Sequence, residues 1–211
     1  MTVTQSTWTE ITDVEALVDL VGVPIARVRD KVRPVLHDLD RQWLAASPFC
    51  LVATSDAEGR CDVSPKGDPA GQLAYVLDDV TIAIAERPGN RRVDGYHNIL
   101  ANPHVGLLFM IPGRGDTLRI NGRARLVTEA PFFDDMIVKG HRPQLALVVE
   151  IEQIFFHCAK AFLRSDAWKP ETWDPTAVPS VARLARAIKP DMTDEQLEEY
   201  YREENLRKLL Y

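Results

Sequence analysis

The stretch TLRINGRARLV, Thr117–Val127, restricts the fold most. Leu118, Ile120, Ala124 and Leu126 fall on one face of an extended chain, and Arg119, Asn121, Arg123 and Arg125 on the other. That is a long strand with one face toward a core, so it needs partner strands. Short apolar or alternating runs at 49–54, 61–64, 73–77, 81–85, 105–111 and 145–156, broken by turn residues, supply them and predict a small antiparallel sheet or barrel. DAEG at 56–59 reads as a hairpin turn, and Asp78-Asp79 as a tight connection. Gly122 in mid-strand predicts a bulge or a close approach by another group. The basic face suits solvent, a bound anion or a neighbouring subunit.

Helical patterning precedes the strands at 13–20, 24–32 and 39–46. One further helix interrupts them, and its entry, ERPGNRRVDGYHN, holds three arginines. Asn90 as N-cap, with Val93, Tyr96, Ile99 and Leu100 at helical spacing, predicts a helix from near Arg91 to Asn102-Pro103. Arg91 and Arg92 would then face the positive end of the helix dipole, at a cost of a few tenths to roughly 1 kcal/mol each. A phosphate held by N–H groups and guanidinium forks offsets that cost. Alternatively both point into solvent or pair with Asp94 and Glu86. A second polar concentration, RCDVSPKGD, presents the Ser64 hydroxyl, a rigid Pro65, the Lys66 cation and a flexible Gly67, which suits a polar ring edge or phosphate, or simply a solvated turn. Residues 165–180 read as an ordered crossing segment. Beyond them Thr193 and Gln196 form a capping box, with favourable pairs Glu198/Arg202 and Glu204/Lys208.

The 211 residues, 45% hydrophobic, suit one compact domain with appendages. A net charge of -6 disfavours nucleic acid but not a small anion. Three cysteines, Cys50, Cys61 and Cys158, without CxxC spacing argue against a disulfide framework and a structural zinc site, and make a reducing cytoplasm the expected setting. The start lacks an export-signal pattern and no apolar run approaches a membrane span, so a soluble, unexported protein without a membrane partner is expected. The five histidines show no HExxH or paired spacing, so no metal is expected. No GxSxG or Walker loop occurs. His157 and Cys158 are neighbours on a strand and point to opposite faces, against a cysteine enzyme.

The order SPFCLVATSDAEGRCDVSPKGD, TIAIAERPGN, RRVDGYHNILANP, VGLLFMIPG, LRINGRARL resembles the pyridoxamine 5'-phosphate oxidase-like superfamily of FMN-binding split barrels, over residues 47–173. The RPGNRR and HCAKAFLRS stretches resemble its actinobacterial and deinococcal branch. The resemblance implies a mainly β fold with flanking helices, an antiparallel Greek-key split barrel at 47–164. A helical extension at 1–46 would pack on the barrel, and a crossing segment with helices would follow at 165–211. It implies an FMN phosphate held by Arg87, Asn90, Arg91 and Arg92. Asp62, Val63 and Ser64 would lie beside the isoalloxazine, Lys66 would be a polar or phosphate contact, and Ile84 and Ala85 would line the ring. A homodimer with the flavin between subunits is implied, so that Arg119 and residues 157–165 could reach the site from either chain. Lys160, Arg164 and Trp168 are substrate-side candidates. The implied function is an FMN-dependent oxidoreductase of a small molecule with an external electron donor such as NAD(P)H. The alternatives are a flavin store or sensor without turnover, and a split-barrel enzyme using deazaflavin or haem. The sequence ends in TDEQLEEYYREENLRKLLY where the vitamin B6 oxidases carry an arginine- and histidine-rich substrate signature, so that activity is not expected.

Overall fold

The computed structural model describes residues 8–188 and 191–211. Contacts divide the chain into two units, Met1–Val32 and Arg33–Tyr211. In the first, α1 (Val14–Val21) is capped by Asp13, whose carboxylate accepts the Ala16 N–H at 2.8 Å, and it ends at Gly22 with φ 79°. The single turn α2 (Ala26–Arg29) follows, and neither helix has a buried residue. Among the described residues no helix is long and apolar enough to cross a membrane.

The second unit is built on seven strands: β1 (Phe49–Ser55), β2 (Cys61–Gly67), β3 (Tyr75–Val76), β4 (Thr81–Ala85), β5 (His104–Met110), β6 (Thr117–Val127) and β7 (Ala146–His157). Every pairing is antiparallel and the order is β2-β1-β5-β6-β7-β4-β3. The sheet is not closed: β2 and β3 are its edges. The connection from β4 to β5 carries the chain from one half of the sheet to the other, and α4 (Asp94–Ala101) lies on that path. This is the split-barrel arrangement with Greek-key connectivity.

Alternation explains the core. Cys50 and Val52, Leu107 and Phe109, Leu118 and Ile120, and Ile154 are each at most 3% exposed and form one cluster. Burying a Leu, Ile or Phe of this kind stabilises by roughly 1.5–3 kcal/mol. β4 is buried on both faces. Ile82 and Ile84 enter the main cluster, whereas Ala83 and Ala85 meet Phe133 and Met136 from the short 3-10 turn Pro131–Met136. The helix α3 (Asp38–Ala46) buries Trp43 and Leu44, and Asp40 receives a two-pronged ion pair from Arg33 at 2.7 and 3.0 Å.

The long strand at 117–127 forms as its periodicity predicts, and the bulge falls at Asn121/Gly122. There Asn121 faces Gln153 while Gly122 faces Ile151, leaving Glu152 as the extra residue. A Cβ on Gly122 would lie 2.0 Å from the Glu150 carbonyl oxygen, so only glycine fits. Two strands differ from expectation. The run at 61–64 continues to Gly67, because β2 is an edge and Pro65 needs no partner for a missing N–H. The run at 73–77 pairs only at Tyr75–Val76, since Leu73 is drawn into the core instead.

After β7 come α5 (Lys160–Ser165), α6 (Val181–Arg186), α7 (Asp194–Tyr200) and α8 (Glu203–Arg207). The Thr193/Gln196 capping box is present. The expected helix pairs are not those formed. α7 ends before Arg202, which bonds Glu199, and Arg207 takes Glu203 one turn earlier in α8.

Candidate functional site

A cleft of about 820 Å³ opens between the edge strand β2, the turn after β4, the start of α4 and the Leu210-Tyr211 dipeptide. Strand alternation half-buries Asp62, Ser64 and Lys66 there, while Val63 and Pro65, which also line the cleft, are exposed. Opposite them β4 ends at Ala85 and hands the chain to Glu86 and Arg87.

The turn that follows corrects the helix start expected near Arg91. Asn90 caps no helix. Its side chain accepts the Arg92 N–H at 2.9 Å, an Asx turn, and Arg91 takes a left-handed φ of 62° that no helix continues. α4 starts at Asp94 with Val93 in the capping position, so both arginines precede the helix. Arg92 pairs with Asp94 at 2.5 Å, whereas Arg91 is exposed and makes no ion pair among the described residues.

Each cation that lines the cleft faces a carboxylate. Lys66 Nζ lies 2.5 Å from Glu86 Oε2, an oxygen that also accepts the Tyr96 hydroxyl, and 4.9 Å above the Tyr96 ring. Burial first, then that hydrogen bond, pushes the Tyr96 phenol well above its ordinary pKa, so it stays protonated and donates to Glu86. Arg87 Nε donates to Asp68 Oδ2 at 2.8 Å and Nη2 to the Met136 carbonyl at 2.9 Å, while Nη1 is buried without a partner. Asp62 accepts from Asn98 Nδ2 at 2.8 Å, which also reaches Thr54 Oγ1 at 3.1 Å. Asp68 Oδ1 accepts the Tyr211 hydroxyl at 2.9 Å. The lining therefore sets Asp62, Asp68, Glu86 and Asp94 against Lys66, Arg87 and Arg92.

Of the residues singled out in the sequence, Asp62, Val63, Ser64, Lys66, Ala85, Arg87, Asn90 and Arg92 line this cleft. Others do not. Ile84 is 1% exposed inside the main core, because neighbours on β4 face opposite sides. Arg91 lies on the outside of the turn. Arg119 lies on the face of the sheet away from the core, its guanidinium 4.3 Å over the Phe155 ring and its Nε buried without a partner. Lys160 and Arg164 are exposed on α5, and Trp168 donates to the Arg114 carbonyl at 2.7 Å and stacks on Phe162. Sequence reasoning missed Asp68, Glu86, Tyr96 and Tyr211. Asp68 closes and Glu86 opens a motif already quoted, and their chemistry showed only once a partner faced them. Tyr211 lies 143 residues from Asp68 and carries no local signal.

A family model described as pyridoxamine 5'-phosphate oxidase matches residues 36–158. The chain belongs to the pyridoxamine 5'-phosphate oxidase family. None of the curated proteins is similar enough to count as a relative. Among solved structures, HupZ of Group A Streptococcus is 21% identical, covering 57% of this chain and 93% of its own, with a TM-score of 0.46. General stress protein 26 of Bacillus anthracis is 12% identical over 55% and 88%, with a TM-score of 0.43. HutZ of Vibrio cholerae, described as a haem storage protein, is 14% identical over 58% and 93%, with a TM-score of 0.41. The pyridoxamine 5'-phosphate oxidase match takes in β2, β4, α4 and the arginine turn, and it ends before the segment that brings Tyr211 to the cleft.

Proposed function

We propose that the protein binds FMN in this cleft and is an FMN-dependent oxidoreductase of a small organic molecule, with an external electron donor such as NAD(P)H. The observation that carries the reading is convergence. Eight residues expected around FMN from sequence resemblance meet in one cleft whose volume falls in the range of about 300–1,000 Å³ usual for small-molecule sites. The phosphate would take the buried, unpartnered Nη1 of Arg87, with Arg92 and the Asn90 turn beside it, and Arg91 adding charge from outside. Asp62, Ser64 and Lys66 would meet the polar edge of the ring, and Glu86 holds Lys66 and Tyr96 in place for that contact. FMN supplies the electron or hydride chemistry; the chain supplies position and field.

The reading includes a homodimer. Leu51, Leu108 and Phe155 fall in register with Arg119 across the face of the sheet away from the core, a mostly apolar row suited to a second copy. An isologous pair makes two equivalent sites, and Arg119, Lys160, Arg164 and Trp168 would serve the partner's cleft.

The test is a visible spectrum of the purified protein, followed by heat release and identification of the chromophore. Stoichiometric FMN is the expected result. A haem Soret band, a deazaflavin, or a colourless protein that ignores added FMN would each overturn the assignment. Rapid reduction by a nicotinamide separates an enzyme from a store or sensor. Replacing Arg91 and Arg92 together by alanine is expected to weaken FMN binding more than tenfold in a fluorescence titration, since charge-assisted contacts are worth about 1.5–3 kcal/mol each. Unchanged affinity would place the phosphate elsewhere.

A further inference from the structure

One end of the cleft is filled by the chain itself. The Tyr211 hydroxyl donates to Asp68 Oδ1 at 2.9 Å, the Arg87 guanidinium lies 5.9 Å from the ring centroid, and the Lys139 ammonium lies 5.0 Å from it. The His141 ring stands alongside, tilted, at 5.9 Å. An aromatic ring with two cations against it, and its donor on a carboxylate whose side chain is 2% exposed, is how a binding site holds a phenol. Beside it Leu209 and Leu210 are 58% and 45% exposed.

We propose that Asp68, Arg87 and Lys139 form a subsite for a flat aromatic ring bearing a hydrogen-bond donor, and that Tyr211 fills it until such a ring displaces it. The subsite rests on the reading of the cleft as a ligand site and names the substrate class left open there: hydroxylated aromatics or aromatic amines. The selectivity has a physical source. With Tyr211 withdrawn, Asp68 Oδ1 loses its donor in a buried place, which a phenol restores and a hydrocarbon of the same shape does not. The cation faces reward any aromatic ring. Only the donor separates phenol from toluene.

The experiment is run on protein freed of flavin, because a phosphate on Arg87 would mask the readout; FMN failing to bind then leaves its outcome intact, and its own failure leaves the FMN reading intact. The full-length protein is treated with phenylglyoxal, and labelling of Arg87 is followed by peptide mass mapping, with exposed Arg92 as the internal reference. In Tyr211→Ala, Arg87 is expected to label at least fivefold faster than in the native protein, while Arg92 is unchanged. Millimolar p-cresol, the Tyr side chain itself, is expected to restore the slow rate, and toluene is not. Tyr211→Phe, which keeps the ring and loses the donor, is expected to fall between. The proposal is overturned by equal Arg87 labelling in native and Tyr211→Ala proteins, or by p-cresol that fails to protect. Toluene that protects as well as p-cresol, or Tyr211→Phe that labels no faster than the native protein, equally overturns it.

Discussion

Arg87 and Asp68 form an ion pair with side chains only 12% and 2% exposed, and Arg92 and Asp94 form one at 78% and 43%. Similar lengths in such different surroundings have different worth. Removing Asp68 leaves a buried guanidinium charge without its counter-ion, so Asp68→Ala is expected to cost about 3–5 kcal/mol in denaturant-induced unfolding. Asp94→Ala, in water, is expected to change stability by less than about 1 kcal/mol. A small loss for both would mean that solvent reaches the first pair. Thiol chemistry offers a second check at this scale. Burial pushes the Cys50 thiol up to about 12, whereas Cys61 and Cys158 are exposed. Iodoacetamide at pH 8 is expected to alkylate Cys61 and Cys158 in the native protein and Cys50 only after unfolding. The residue types at the site were legible in SPKGD and ERPGNRR. Their partners were not, because a carboxylate looks the same in sequence whether it faces water or a cation.

At the level of elements, one backbone contact and one carboxylate fix how pieces join. Gly122 lets β6 and β7 close over the bulge, and an added Cβ must push the Glu150 carbonyl away. Gly122→Ala is therefore expected to destabilise by at least about 1–3 kcal/mol, the usual cost of overpacking, and to lower the melting temperature. The mid-strand glycine announced this in the sequence, because a strand interior has little other reason to hold one. For α3, burial pushes the Asp40 carboxyl up, but the Arg33 guanidinium, the His37 N–H and the nearby charges outweigh it and hold it below the usual carboxylate range. Its stabilisation is complete above the unfolded value of about 3.9 and is lost as pH falls through the lower folded value. In unfolding curves from pH 6 to 2, the advantage of the native protein over Asp40→Asn is expected to hold above about 3.9 and shrink below it. A constant difference across that range would remove the linkage. The start of α4 moved from its expected place because Asn90 has two uses with one signature. Its side chain can cap a helix or close an Asx turn, and the left-handed Arg91 selects the turn.

On the scale of the molecule, the row Leu51, Leu108, Arg119 and Phe155 on the face of the sheet away from the core leads to a measurable mass. Light scattering on the eluted protein is expected to give twice 23.7 kDa, and a monomer at micromolar concentration would leave Arg119 without the role proposed for it. Period-two hydrophobicity and turn residues by themselves determined most of the strands, the hairpin turns, the bulge glycine and the two motifs that bound the cleft, because each depends on residues within a few positions of one another. The tertiary structure alone decided which strands are edges, that Ile84 belongs to the core while Ala85 reaches the cleft, and that Lys66 and Arg87 meet Glu86 and Asp68 rather than open solvent. It also brought Tyr211 across 143 residues onto Asp68. The physical reason is range: backbone propensity and side-chain period act over one or two turns of chain, whereas burial, charge pairing and ring contacts are set by whatever folding places alongside.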